Sequence, residues 1–193
     1  MPFRVLRRAA VVLAFCGVLA GIGGPAASAE QEGRPLQPIV EAVALRLTTA
    51  DTVAASKWRS NAPIDDPARE EQVLASVTAQ ALDEGLDAAR VHQIFRDQIE
   101  ANKDVQRALF AWWSVSPGSA PAIGPELSQV RLVIDRQNTR ILDQMQEQKA
   151  VLAGPDCLPV LLDAAGAVGQ TLGPLHQATL ARALVSLCGP VAP

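Results

Sequence analysis

The sequence predicts an all-α fold, a single-domain helical bundle of about six helices, on three observations. Apolar residues recur at helical spacing along most of the chain. No segment sustains two-residue alternation, and Asp, Pro and Gly fall where such helices should begin and end. The first helix is expected over 36–59, with Ile39, Val43, Leu47 and Ala50 on one face and Ala42, Ala54 and Ala55 filling in, and Pro63 breaks the pattern. Asp66 is a good N-cap with Pro67 at the first helical position, opening a helix through Val73, Leu74 and Val77 to about Asp83. Gly85 ends it and Asp87 caps the next, which runs through Val91, Ile94, Phe95, Ile99, Val105 and Leu109 to Trp112 and Trp113. The stretch 114–125, rich in Ser, Pro and Gly, reads as a connector. A long helix over 126–150 follows, with Leu127, Val130, Ile134, Ile141 and Met145 on its buried side, stopped by Gly154 and Pro155. Two shorter helices, after Asp156 and after Gly173-Pro174, complete the chain.

Residues 1–29 do not belong to that fold. Arg4, Arg7 and Arg8 form a positive start, an apolar stretch runs from Ala9 to about Ile22, and Ala27-Ser28-Ala29 has the small-x-small pattern of a signal-peptidase site. The expected division is a signal peptide over 1–29 and one domain over 30–193, exported to the periplasm or secreted. The apolar run is short for a membrane anchor, so no membrane association is expected after cleavage. The leader holds three arginines and no acidic residue. Its removal takes Lys plus Arg from 17 to 14 against 20 Asp plus Glu, and the net charge from −3 to −6. A chain so acidic is a poor partner for nucleic acid or an anionic membrane surface, which demand a cationic face. It can bind an anion only by concentrating its cations in one cleft.

Cleavage leaves two cysteines, Cys157 and Cys188. In an oxidising compartment such a pair reads as one structural disulfide, which by the chain-entropy argument stabilises the fold by about 3–4 kcal/mol. Metal and redox spacings are missing, and His92 and His176 stand alone, so neither a metal nor a cofactor is expected. Trp58, Trp112 and Trp113, at helix ends, read as packing anchors. Nothing supports covalent catalysis, which leaves an enzyme working by positioning and electrostatics.

The cations are the informative residues. Arg46 and Lys57 lie eleven residues apart, about three turns, and at ~100° per residue they share a helix face. Asn102 and Gln106, four apart, share a face of another helix. With Arg69 and Arg131 these residues suit a pocket for a compact polycarboxylate. Lys103, Arg107, Arg136 and Arg140 read as solvated surface charges.

Four ordered motifs carry a family resemblance. They are Arg46-Leu47 with Lys57-Trp58-Arg59; Pro63-Ile64-Asp65-Asp66-Pro67 with Arg69, Glu70 and Gln72; Phe95, Asp97, Gln98, Ile99, Ala101, Asn102 and Gln106; and Arg131, Ile134, Asp135, Asn138, Arg140, Ile141 and Leu142. In this order and spacing the chain resembles the secreted (gamma) subclass of the all-helical AroQ chorismate mutases, and the terminal Cys157–Cys188 pair fits that subclass too. The resemblance implies conversion of chorismate to prephenate without a cofactor, in a homodimer whose active sites each lie inside one chain. It gives carboxylate-binding roles to Arg46, Arg69 and Arg131 and puts Lys57 and Gln106 on the ether oxygen. Asn102 falls where a short hydroxyl residue is usual near a substrate carboxylate, and Gln106 where secreted relatives often carry Glu. Val73 stands where a polar residue often meets the substrate hydroxyl, a contact that falls to Asp66 or Glu70. The alternative reading is a non-catalytic periplasmic helical module that binds a carboxylated ligand or a partner protein.

Overall fold

The structure, a computed structural model, describes residues 33–124 and 126–189. The expected signal peptide at 1–29 lies outside the described residues. These residues hold seven α-helices and one 3₁₀ turn, with no strand among them: α1 Gln37–Ser60, α2 Pro67–Asp83, α3 Ala88–Val115, the turn Pro117–Ser119, α4 Leu127–Glu147, α5 Lys149–Ala153, α6 Cys157–Gly169 and α7 Pro174–Leu184.

The count exceeds six because the expected helix over 126–150 is interrupted at one residue. Gln148 leaves helical geometry (φ −103°, ψ 18°), and its side chain turns to the start of α1, where Oε1 accepts from the Leu36 N–H at 2.5 Å. That bond satisfies one of the donors a helix N-terminus leaves open. Leu36 has a left-handed backbone (φ 63°) and no capping side chain, so the cap comes from 112 residues away. A break of one residue leaves the apolar periodicity almost unchanged, so the sequence pattern does not reveal it.

The other boundaries follow local chemistry. Asp66 accepts from the Arg69 N–H at 3.1 Å and Asp87 from the N–H groups of Ala89 and Arg90 at 3.0 and 3.1 Å, the bonds expected of N-caps. Asn61 ends α1 in the left-handed conformation (φ 52°), which asparagine tolerates better than most residues.

Helix α1 is the axis of the molecule. Ile39, Val40, Val43, Leu47, Ala50 and Ala54 are all buried, and the helix packs against α3, α4, α6 and α7. Helix α2 lies on α3 and α4, and α7 covers α3. Burying a Leu, Ile or Val side chain is worth about 1.5–3 kcal/mol, so this continuous apolar face fixes where α1 can sit. At its far end Trp58 meets Phe110 and Trp113 edge-on, at centroid distances of 5.1 and 5.7 Å. Trp112 does not join them. One residue along α3 turns it by about 100°, and it is 52% exposed, contrary to its expected anchoring role.

Cys157 and Cys188 form a disulfide, with Cα atoms 5.8 Å apart. It joins the start of α6 to the residues after α7. Arg90 on α3 secures the same region by donating to the carbonyls of Leu152 and Leu187, at 3.2 and 2.6 Å. No helix among the described residues is long and apolar enough to cross a membrane.

Candidate active site

A cavity of about 560 Å³ lies between α1, α2, α3, α4 and the loop joining α1 to α2. Arg46, Thr49, Val53 and Lys57 line it from one face of α1, at the three- and four-residue steps that stack on a helix. Helix α3 adds Ile99, Asn102, Lys103 and Gln106; α2 adds Arg69, Glu70 and Val73; α4 adds Leu127, Val130, Arg131 and Ile134. All nine proposed substrate-binding residues therefore border one space, Asp66 included. Cys157 and Cys188 do not line it.

Arg46 is the most enclosed of the cations, 4% exposed. Its Nε donates to Oδ1 of Asn138 at 2.8 Å, and its guanidinium lies 5.6 Å from the centre of the Phe95 ring. Burial lowers its pKa to about 10, against the pull of Asp135, so it stays cationic at neutral pH. Nε is its one hydrogen-bonding side-chain atom among the described residues, which leaves the terminal nitrogens for a ligand.

Lys57 donates to the Ile64 carbonyl at 2.5 Å, tying α1 to the loop before α2. Burial lowers its pKa, opposed by Asp66, Glu70 and Asp65 and reinforced by Lys103. On the facing helix Gln106 is 3% exposed. Its Nε2 donates to Oδ1 of Asn102 at 2.8 Å, while its Oε1 is buried without a partner among the described residues. An amide nitrogen has two protons, so one remains for the cavity.

The rim is more open. Arg69 is 37% exposed at its side chain and stands 4.0 Å from Asp135, with a 3.4 Å bond to Gln72. Arg131 is exposed and makes no hydrogen bond or ion pair among the described residues. Asp66 faces the cavity mouth, but its carboxylate caps α2. Val73 puts an apolar surface between these polar groups.

Comparison with known proteins decides the family. The family described as chorismate mutase type II matches residues 37–107, which span α1 to most of α3. The secreted chorismate mutase of Mycolicibacterium smegmatis is 44% identical over 172 residues, 88% of this chain and 94% of that protein. The chain belongs to the type II chorismate mutases. The secreted chorismate mutase of Mycobacterium tuberculosis is 36% identical over 178 residues, covering 91% of this chain and 89% of that one. The crystal structure of the chorismate mutase from Burkholderia phymatum superposes with a TM-score of 0.76 at 37% identity, covering 81% of this chain and 97% of that one.

Two residues around the cavity of this chorismate mutase were given no part in it by the sequence: Lys103, which lines it, and Asn138, which does not line it but holds Arg46. Asn138, buried against Arg46, stands in the α4 motif seven residues after Arg131, a spacing that marks a shared helix face, but no charge drew notice to it. Lys103 reads as a surface charge and is instead 8% exposed. Its ammonium lies 3.2 Å from Asp65, 3.2 Å from both Glu70 oxygens and 2.5 Å from Glu100. The sequence signal for Lys103 was the acidic excess at 65, 70 and 100, residues that only the fold brings together. Arg107, beside it, is exposed as expected and pairs with Asp65 and Asp104 at 3.2 and 3.1 Å.

Proposed function

We propose that this protein is an exported chorismate mutase that converts chorismate to prephenate by positioning and electrostatics alone. Convergence carries the reading: four cations and a buried amide, from four helices, border one cavity in a chain with an excess of acidic residues. The rearrangement is unimolecular. The ether C–O bond breaks as a C–C bond forms within the same molecule, so no base, nucleophile or cofactor takes part.

Catalysis then requires the reactive diaxial conformer and a site complementary to negative charge growing on the ether oxygen. Arg46, Arg69 and Arg131 hold the two carboxylates, where guanidinium forks give directional, charge-assisted bonds. Lys57 and Gln106 face the ether oxygen, from α1 and α3. Asn102 adjoins a substrate carboxylate and, through its 2.8 Å bond, orients Gln106. Glu70 takes the substrate hydroxyl in preference to Asp66. What supports that choice is that Asp66 is spent on the cap of α2, whereas Glu70 is partly buried and lines the cavity. The leader at 1–29 directs export, in keeping with the secreted relatives.

The nine side chains come from a single chain, which supports an active site complete within each protomer of a homodimer. Light scattering of the purified protein tests the dimer. The activity is tested by the loss of chorismate absorbance on adding purified protein. A module that only binds carboxylates would leave the absorbance unchanged.

A further inference from the structure

Lys103 lines the cavity yet has no proton to offer a ligand. Its ammonium carries three donors, and three carboxylates surround it: Asp65 at 3.2 Å, Glu70 at 3.2 Å and Glu100 at 2.5 Å. Glu70 is fixed in turn from two sides, since its Oε1 also accepts from the Asp66 N–H at 3.3 Å. Both of its oxygens face Lys103, and a carboxylate has about four acceptor sites, so it keeps lone pairs toward the cavity.

We propose that Lys103 is a positioning residue, which holds Glu70 against the cavity wall so that Glu70 can accept a hydrogen bond from the substrate hydroxyl. This rests on the chorismate mutase reading and goes beyond it, because Lys103 acts on the substrate only through Glu70. Two features fit the role. Lys103 is buried on α3, one of the helices that fix the core, whereas Glu70 stands in the first turn of α2, where a carboxylate has freedom to swing outward. The ammonium also stays charged: burial alone would lower its pKa, but the bonds to Glu100, Asp65 and Glu70 outweigh that and raise it.

The test compares the unaltered protein, Lys103→Met, Glu70→Gln and the double variant on chorismate and on an analogue lacking the ring hydroxyl. Lys103→Met should lower kcat/KM on chorismate by about tenfold, the loss expected when a charge-assisted contact is released. On the analogue it should change kcat/KM by less than about twofold. In the Glu70→Gln background it should cost nothing further, because the residue it positions is gone. Lys103→Arg, which can hold the same carboxylates, should keep most of the activity. Lys103→Gln serves in place of Lys103→Met if the apolar side chain prevents folding among three carboxylates.

Equal losses on the two substrates, or losses that multiply with Glu70→Gln, would overturn the proposal while leaving the enzyme assignment in place. Such a result would mean that Lys103 acts on the site directly, through its charge near Lys57. No turnover of chorismate by the unaltered protein would instead overturn the function and this role together.

Discussion

Replacing Gln106 by glutamate exchanges one NH₂ for one oxygen with almost no change of shape, so it tests what this side chain donates. Gln106 is 3% exposed, its Oε1 has no partner among the described residues and its Nε2 donates to Asn102. An amide donates at every pH, so kcat/KM of the natural protein should be nearly flat from about pH 5 to pH 8. The introduced carboxyl donates only while protonated. Burial raises its pKa and the cations Arg46 and Lys57 around the cavity lower it, and the midpoint of its ionisation is where activity should fall as pH rises. Above that midpoint two losses combine. A donor bond to a charged oxygen is worth about 1.5–3 kcal/mol. A full negative charge about 4 Å from a half-developed one opposes it by about 2 kcal/mol at an effective dielectric constant of ~20. Together they imply a fall of roughly 10³-fold in kcat/KM between the acid and alkaline plateaus, chiefly in kcat. Chorismate consumption measured from pH 4.5 to 9 for both proteins (about the span of the ionisations involved) reads this directly. Superimposable profiles would mean that Gln106 does not touch the reacting oxygen.

Arg46→Ala, Arg69→Ala and Arg131→Ala should each lower kcat/KM by at least about tenfold, and near-normal values in all three would remove the proposed pocket. Of the three, Arg46→Ala should also lower the melting temperature measurably, because it leaves the buried Oδ1 of Asn138 unpaired. Lys57→Ala should cost more than any of them, mainly in kcat. In the natural protein the active ammonium of Lys57 is present below its pKa and lost above it. Burial lowers that pKa, so the alkaline fall of kcat/KM should begin below the ordinary lysine value of 10.5, and a fall confined to higher pH would contradict the role. Reduction of Cys157–Cys188 should lower the melting temperature by on the order of 10 °C, from about 3–4 kcal/mol of loop closure, while chorismate turnover at 25 °C persists. An unchanged melting temperature would contradict the tethering role of the bond.

Helix boundaries were legible wherever a residue's own chemistry sets them. Asp66 with Pro67, Asp87, and Gly173 with Pro174 start helices within a residue of expectation, because a cap is a local bond. The break at Gln148 was not legible, since its cause is a partner at Leu36. The same distinction holds in the site. Arg46 with Lys57, and Asn102 with Gln106, are read from helical geometry alone. Arg69 and Arg131 were read as cations of the same pocket, but their roles needed the ordered motifs, as they stand on two further helices. Lys103 and Asn138 could not be assigned from spacing. Each owes its environment to another helix: acidic side chains at 65 and 70 for one, a buried guanidinium for the other.

The cations differ in burial in a way that suits the reaction. Charge that develops only in the transition state is best met by groups already desolvated and fixed, because they need no reorganisation when the bond breaks. Of the two groups proposed to face that charge, Gln106 is buried and Lys57 half-buried, and each is held in place, by Asn102 and by the Ile64 carbonyl. The carboxylates carry full charge before and after the rearrangement, so contacts to them mainly set binding and conformer. Of the arginines proposed to hold them, Arg46 is buried, Arg69 is partly buried and Arg131 is exposed, so two of the three keep some hydration and cost less to desolvate. The split also meets the demand set by an acidic surface. On the proposed roles an incoming dianion meets Arg69 and Arg131 at the rim before it reaches the enclosed Arg46.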